Sequence, residues 1–249
     1  MNDIGRRGML AGMGMLLLSA CAKIADTKIG GSLLSTAEKW HMGIHRSLAS
    51  RMALAPEYDR SERSPTFRGN GSRTVDSDAY RAALVDGFTH WRLEIGGMVD
   101  SPMSLSLENL RALPQRTQIT RHDCVEGWSA IGEWTGPQLS TLLEAAGVQR
   151  GAKFVVFRCA DELSSGQYYE SVDMVDAYHP QTIIAHKLNG AALPEKNGAP
   201  LRMRIERQLG YKHAKYLTGI ELVESLDDIG KGEGGYWEDH HGYQWYAGI

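Results

Sequence analysis

The stretch Thr120-Arg121-His122-Asp123-Cys124-Val125-Glu126-Gly127-Trp128-Ser129 sets one cysteine between an arginine–histidine pair and a glycine. It lies between a segment expected to be a strand and a leucine-rich segment expected to be a helix. A loop in that position can present side chains to a pocket. Arg121 and His122 are sequence neighbours of Cys124, and positive charge favours a thiolate over a thiol. A soft thiolate suits a redox metal. A lone cysteine is more often a small buried hydrophobe, so the surrounding sequence has to decide between the two.

Downstream, Pro137 suits a first helical turn, Leu139, Leu142, Leu143 and Ala146 form an apolar stripe, and Gly147 suits the stop. Upstream, Asp76 or Ser77 caps an expected helix that ends near Gly87. Residues 91–95 alternate like a half-buried strand. Ser106 caps a short helix through Leu107 and Leu110 that Pro114 prevents from continuing. Residues 154–157, 182–185, 201–205 and 218–223 read as further strands. No long βαβ series and no internal repeat is visible, so the expected class is α+β, with mixed strands and short helices.

Several separated motifs, in order, then change the weight of Cys124. They are Cys124-Val125-Glu126-Gly127-Trp128, Trp134-Thr135-Gly136, Ser171-Val172-Asp173, His179-Pro180, Leu188-Asn189-Gly190, Leu193-Pro194, Asn197 to Arg202, and Gly210-Tyr211-Lys212-His213-Ala214-Lys215-Tyr216. Together they resemble the molybdopterin-binding domain of the sulfite oxidase family over roughly residues 66–225. The resemblance leans to the haem-free bacterial branch, which includes periplasmic methionine-sulfoxide reductases. It implies a molybdenum–molybdopterin cofactor, with Cys124 as the metal ligand and oxygen-atom transfer as the chemistry. It also implies that Asn70, Cys159, Asn197, Arg202, His213 and Lys215 contact the cofactor. Arginine and lysine are the cations a buried phosphate needs. Cys159 is either such a contact or a plain strand cysteine. Tyr168 falls near a tyrosine that the family places beside the metal, and Tyr169 is the other candidate. A phenol there can donate a hydrogen bond to substrate. Lys212 stands where sulfite oxidases carry an arginine for the oxyanion, which weakens the case for sulfite. Arg121 either supplies that guanidinium or pairs with Asp123 or Glu126.

The chain has 249 residues, 42% of them hydrophobic, and a net charge of −3. That is enough to bury a sizeable core, and it lacks the basic excess of a nucleic-acid binder. Residues 1–22 read as an export signal. Arg6-Arg7 resembles a twin-arginine pair, and an apolar run of signal-core length follows from Met9 to Ala20. Leu18-Ser19-Ala20-Cys21 resembles a lipobox, with cleavage after Ala22 as the alternative. The expected location is therefore periplasmic or otherwise extracytoplasmic, with a lipid anchor on the membrane. Residues 23–65 read as a spacer with a helix over 36–53, on which His41 and His45 share a solvated face. Residues 66–226 form the expected cofactor domain. Residues 227–249 are too rich in aromatic side chains for a disordered tail and are expected to dock on the domain or cover its pocket.

No Cys-x-x-Cys-His motif for covalent haem is present. Electrons are therefore expected to come from a separate haem or quinone-linked protein, and the substrate to be a small molecule. Two rival functions remain: a hydrolase with Cys124 as nucleophile, and a lipid-anchored binding module that keeps the fold without the cofactor.

Overall fold

A computed structural model describes residues 28–48 and 50–249. The arginine pair, the apolar run and Cys21 lie outside the described residues. The chain divides into two compact units at residues 50 and 51. In the first unit, α1 runs Lys28–Leu48. The His41 and His45 rings lie 6.1 Å apart and nearly parallel, on one face as their spacing predicts. The helix starts and stops earlier than the 36–53 expected. In the second unit, Ala53 O accepts from His179 Nε2 at 3.0 Å and Ala55 N donates to Gln181 at 2.8 Å instead of continuing a helix. Among the described residues no helix is long and apolar enough to cross a membrane.

The second unit contains α2 (Asp78–Val85), β1 (Arg92–Gly97), β2 (Met103–Ser106), α3 (Leu107–Ala112), β3 (Gln115–Asp123), β4 (Ser129–Pro137) and α4 (Leu139–Ala146). Then come β5 (Phe154–Leu163), β6 (Gly166–Asp173), α5 (Met174–Ala177), β7 (Ile183–Ala185), β8 (Lys187–Leu188), β9 (Ala191–Ala192), β10 (Arg202–Arg204), β11 (Leu217–Val223) and α6 (Tyr236–His241). This is the α+β mixture expected. One sheet has the order β2-β1-β11-β5-β6, with β1 and β11 parallel and the other pairs antiparallel. A second sheet has the order β3-β4-β8-β9, and β10 pairs with β7.

Local sequence explains most of these elements. Leu93 and Ile95 of β1 are buried while Arg92 and Glu94 face out. Ser77 caps α2 by accepting from Tyr80 N, and Ser106 caps α3 by accepting from Asn109 N. The whole apolar stripe of α4 is buried, and Gly147 ends the helix at a φ of 68°, a conformation that favours glycine. Pro137 differs from expectation. It is the last residue of β4, pairing with Gln115, and not the first turn of α4. Proline is tolerated at such a strand end because no further ladder donor is needed there.

Trp134 of β4 joins the second sheet to β10. It is fully buried, and the guanidinium carbons of Arg202 and Arg204 lie 4.9 and 4.4 Å from its ring centre. Residues 227–249 bond to the rest of the second unit. Leu209 N donates to Ala247 O, Trp245 Nε1 to Ser171 Oγ at 2.9 Å, and Ile249 N to Arg207 O.

Candidate active site

The β3–β4 hairpin closes on Cys124. Its N–H donates to Trp128 O and its carbonyl accepts from Gly127 N, both at 2.9 Å. That turn carries Cys124, Val125 and Glu126 to one wall of a cavity of about 120 Å³. The other walls are the loop Asn70-Gly71-Ser72, then Asp161, Leu163 and Tyr168 from β5 and β6, then Gly210, Tyr211, His213 and Lys215, and last Trp237 and Tyr243 of the tail. The β5–β6 register shifts between Arg158 and Glu162, an irregularity beside Asp161 of the kind that re-aims side chains next to sites.

The structure thus gathers Cys124, Asn70, Tyr168, His213 and Lys215 at one cavity. The other expected residues stand elsewhere. Arg121 is half exposed and its Nε donates to Asp123 at 3.0 Å, so the second of its two possible roles holds. Lys212 is a correction to the anion-contact expectation. It is buried between Glu170 and Glu238, donating to both, and does not line the cavity. Burial opposes its charge, but the two carboxylates hold its pKa above the ordinary value. Cys159 is a fully buried thiol on β5, pushed well up by burial, and fits the plain strand cysteine. Arg202 and Asn197 sit behind the wall. Arg202 donates to the carbonyls of Asn197 and His213, while Asn197 Nδ2 donates to Arg68 O, on the approach to Asn70. Tyr169 is engaged by Asp239, whereas Tyr168 faces the cavity and donates to Tyr211 O at 2.6 Å. Burial and then Glu170 hold the Tyr168 phenol well above its usual pKa, so it remains a neutral donor.

The expected source of thiolate character also needs correction. His122 is buried with its Nδ1 accepting from Arg204 at 3.0 Å, and burial and then Arg204 drive its pKa well below the ordinary value. It is neutral and turned to Arg204, so it serves Cys124 neither as a cationic neighbour nor as a base. Burial raises the Cys124 pKa, as does Glu126's charge, against the lowering effects of the Glu126 N–H and Arg68. A coordinated metal is what deprotonates a thiol in such surroundings. Cys124 and Cys159 are both free.

Buried polar atoms around the cavity test whether the cofactor fits. Asn70 Oδ1, Asp161 Oδ1, Arg202 Nε and His213 Nδ1 are buried without a partner, which is costly unless a ligand satisfies them. Lys215 donates to the carbonyls of Asn70 and Ser72. Burial and Arg202 lower its pKa to about 7, and burial and Arg204 lower Arg202 to about 9. Crowded buried cations bonded to neutral carbonyls suit a phosphate-bearing ligand.

The comparisons agree with this chemistry. Residues 81–228 match the oxidoreductase molybdopterin binding domain family. The chain belongs to that family. This molybdopterin-binding oxidoreductase is 37% identical to YedZ1 of Azospira oryzae over 98% of its own length and 86% of the relative's. That relative's name assigns it provisionally as a protein-methionine-sulfoxide reductase subunit. It is 34% identical to MsrP of Xanthomonas axonopodis pv. citri, named a protein-methionine-sulfoxide reductase catalytic subunit, over 62% of this chain and 52% of the relative. The oxidoreductase therefore spans about half the length of MsrP. Its fold is similar to that of the sulfane dehydrogenase SoxCD from Paracoccus pantotrophus, with a TM-score of 0.51 and 24% identity over 55% of this chain and 39% of that one.

Some site residues of the oxidoreductase were not legible in its sequence as such. Arg204 was read only as part of a strand, yet it pairs with Glu206 at 2.5 Å and orients His122. Gly210 packs so closely on the His122 ring that a Cβ would collide with it. Asp161, Trp237 and Tyr243 carried no local signal beyond, for the last two, an aromatic-rich tail. Among the described residues no three His, Cys, Asp or Glu side chains gather to hold a metal.

Proposed function

We propose that this oxidoreductase works outside the cytoplasm and reduces S- or N-oxides by oxygen-atom transfer, sulfoxides first among them. One observation carries the proposal: Cys124 lines the same cavity as Lys215, a buried cation bonded to two backbone carbonyls, with Arg202 buried behind its wall and bonded to two more. When bound, the molybdenum–pterin group supplies a two-electron couple and an acceptor for the oxygen atom. Cys124 would hold the metal, and Asn70, Arg202, His213 and Lys215 would hold the pterin and its phosphate. Tyr168 is the neutral phenol at the cavity, and it donates to the oxygen of the substrate by giving up its bond to the Tyr211 carbonyl.

Sulfoxide is favoured over sulfite because neither candidate for the sulfite-binding cation is free. Lys212 is neutralised by two carboxylates and Arg121 is taken by Asp123. The names of the relatives support the same substrate class. Reducing a sulfoxide consumes two electrons and two protons. A separate haem or quinone-linked partner supplies the electrons. The Arg6-Arg7 pair with its apolar run supports export, and Cys21 supports a lipid anchor.

The test is protein purified from a host that makes the cofactor, analysed for molybdenum and pterin. It is then assayed with a reduced viologen dye against methionine sulfoxide, dimethyl sulfoxide, trimethylamine N-oxide and, in the oxidative direction, sulfite. Molybdenum with sulfoxide-dependent dye oxidation is expected. Loaded protein that acts on sulfite alone contradicts the substrate class, and protein without molybdenum contradicts the function.

A further inference from the structure

The match to the family ends at residue 228, yet the tail beyond it supplies two side chains to the cavity that Cys124 lines. Trp237 and Tyr243 stack with ring centres 5.7 Å apart and planes 24° from parallel. Tyr211 meets Tyr243 edge-on at 5.1 Å. The three rings make a continuous aromatic surface at the cavity, and Val125, about half exposed, adds an apolar neighbour from the hairpin tip.

The surface is held in place. Lys212 Nζ donates to Glu238 at 2.7 Å, Ser165 N donates to the Tyr236 hydroxyl at 3.0 Å, and Tyr211 donates to Gln244 O at 2.6 Å. These anchors come from the turn before β6 and the segment before Lys215, so the tail is fastened to segments that adjoin or line the cavity. A fixed aromatic wall offers little to a small hydrated oxyanion, whose shell it cannot replace. It offers burial and sulfur–aromatic contact to methyl and methylene groups beside a sulfur atom.

We propose that Trp237, Tyr243 and Tyr211 form a specificity wall that selects sulfoxides bearing an apolar arm, methionine sulfoxide within a peptide above all. The proposal rests on the sulfoxide-reducing function and adds the determinant of its substrate class. The tail brings the wall, and the metal ligand Cys124 faces the same space.

The experiment uses the full-length, molybdenum-loaded enzyme and the double variant Trp237→Leu/Tyr243→Leu, which keeps apolar volume and removes the rings. Two quantities are read: the ratio of kcat/KM for a methionine-sulfoxide pentapeptide to that for dimethyl sulfoxide, and the Kd of the pentapeptide for the oxidised enzyme by calorimetry. The ratio is expected to fall, and the Kd to rise, about tenfold, with the loss in KM rather than kcat. Trp237→Phe, which keeps a ring and disturbs packing least, is expected to retain most of the selectivity. An unchanged ratio in the double variant, or a Trp237→Phe enzyme as unselective as the double variant, overturns the wall. Wild-type enzyme that is loaded but reduces no sulfoxide overturns the function itself, a result distinct from either.

Discussion

Lys215 shows what burial does to a cation when its nearby carboxylate, Asp161, is outweighed by burial and by Arg202. It is 6% exposed, bonded to the carbonyls of Asn70 and Ser72, and brought down to a pKa of about 7 from 10.5. Between those two values the unfolded chain binds a proton that the folded chain has lost, so this residue makes stability rise with pH there and fall towards pH 7. Lys215→Met removes that burden. The cofactor-free variant is expected to melt at the same temperature as the parent or higher, while pterin retention drops about tenfold, the loss of one charge-assisted bond to a phosphate. Thermal melting and pterin fluorescence check both halves. A lower melting temperature with unchanged pterin retention would make Lys215 a structural residue. At this scale much could be read from sequence, because the family resemblance pointed to Asn70, His213 and Lys215, and the structure gathers all three with Cys124. The electrostatics were not legible. Arg121 and His122 adjoin Cys124 in sequence, but strand alternation turns Arg121 outward to Asp123 and His122 inward to Arg204.

The elements that sequence failed to show are those buried on both faces or punctuated by glycine. β6 has five consecutive buried residues because the sheet interior takes one face and the tail helix α6 covers the other, so the alternation expected of a half-buried strand is lost. β4 contains Gly132, Gly136 and Pro137, residues that strands disfavour, although all three pair in the ladder with β3. The strands β1, β7, β10 and β11 and the helices α2, α3 and α4 kept their local signals and fell where expected. Lys212 belongs to this scale too, since it joins β6 to α6 through Glu170 and Glu238. Burial and the Glu238 charge push Glu170 well above the usual carboxylate range, so the trio depends on its one ammonium. Lys212→Ala leaves two buried carboxylates without a cation and is expected to cost about 3–5 kcal/mol. Chemical denaturation measures the loss, and faster proteolysis of residues 226–235 reports release of the tail. A loss under about 1 kcal/mol, within the range of an exposed pair, would show that the tail is held without this clamp.

At the scale of the whole molecule, buried histidines govern the acid side. Burial lowers His122, His213, His179 and His186, the last to about 4. In the unfolded chain each binds a proton near 6.5, so the unfolded state gains protons first and stability falls as pH drops below 6.5. Glu170 and Asp161, both raised, act in the opposite sense. Four groups against two predict a net loss, and urea unfolding of the cofactor-free protein should show a lower midpoint at pH 5 than at pH 7. A midpoint equal or higher at pH 5 would mean that the histidines are not held neutral. The proposed catalytic centre rests on a single bond from Cys124 to the metal. The most direct measurement is X-ray absorption at the molybdenum edge of the loaded wild-type enzyme and of Cys124→Ser, both purified from a cofactor-competent host. The expected result is that the variant loses one sulfur from the metal's first coordination shell and nearly all turnover. An unchanged sulfur shell in a variant that still carries molybdenum would contradict it.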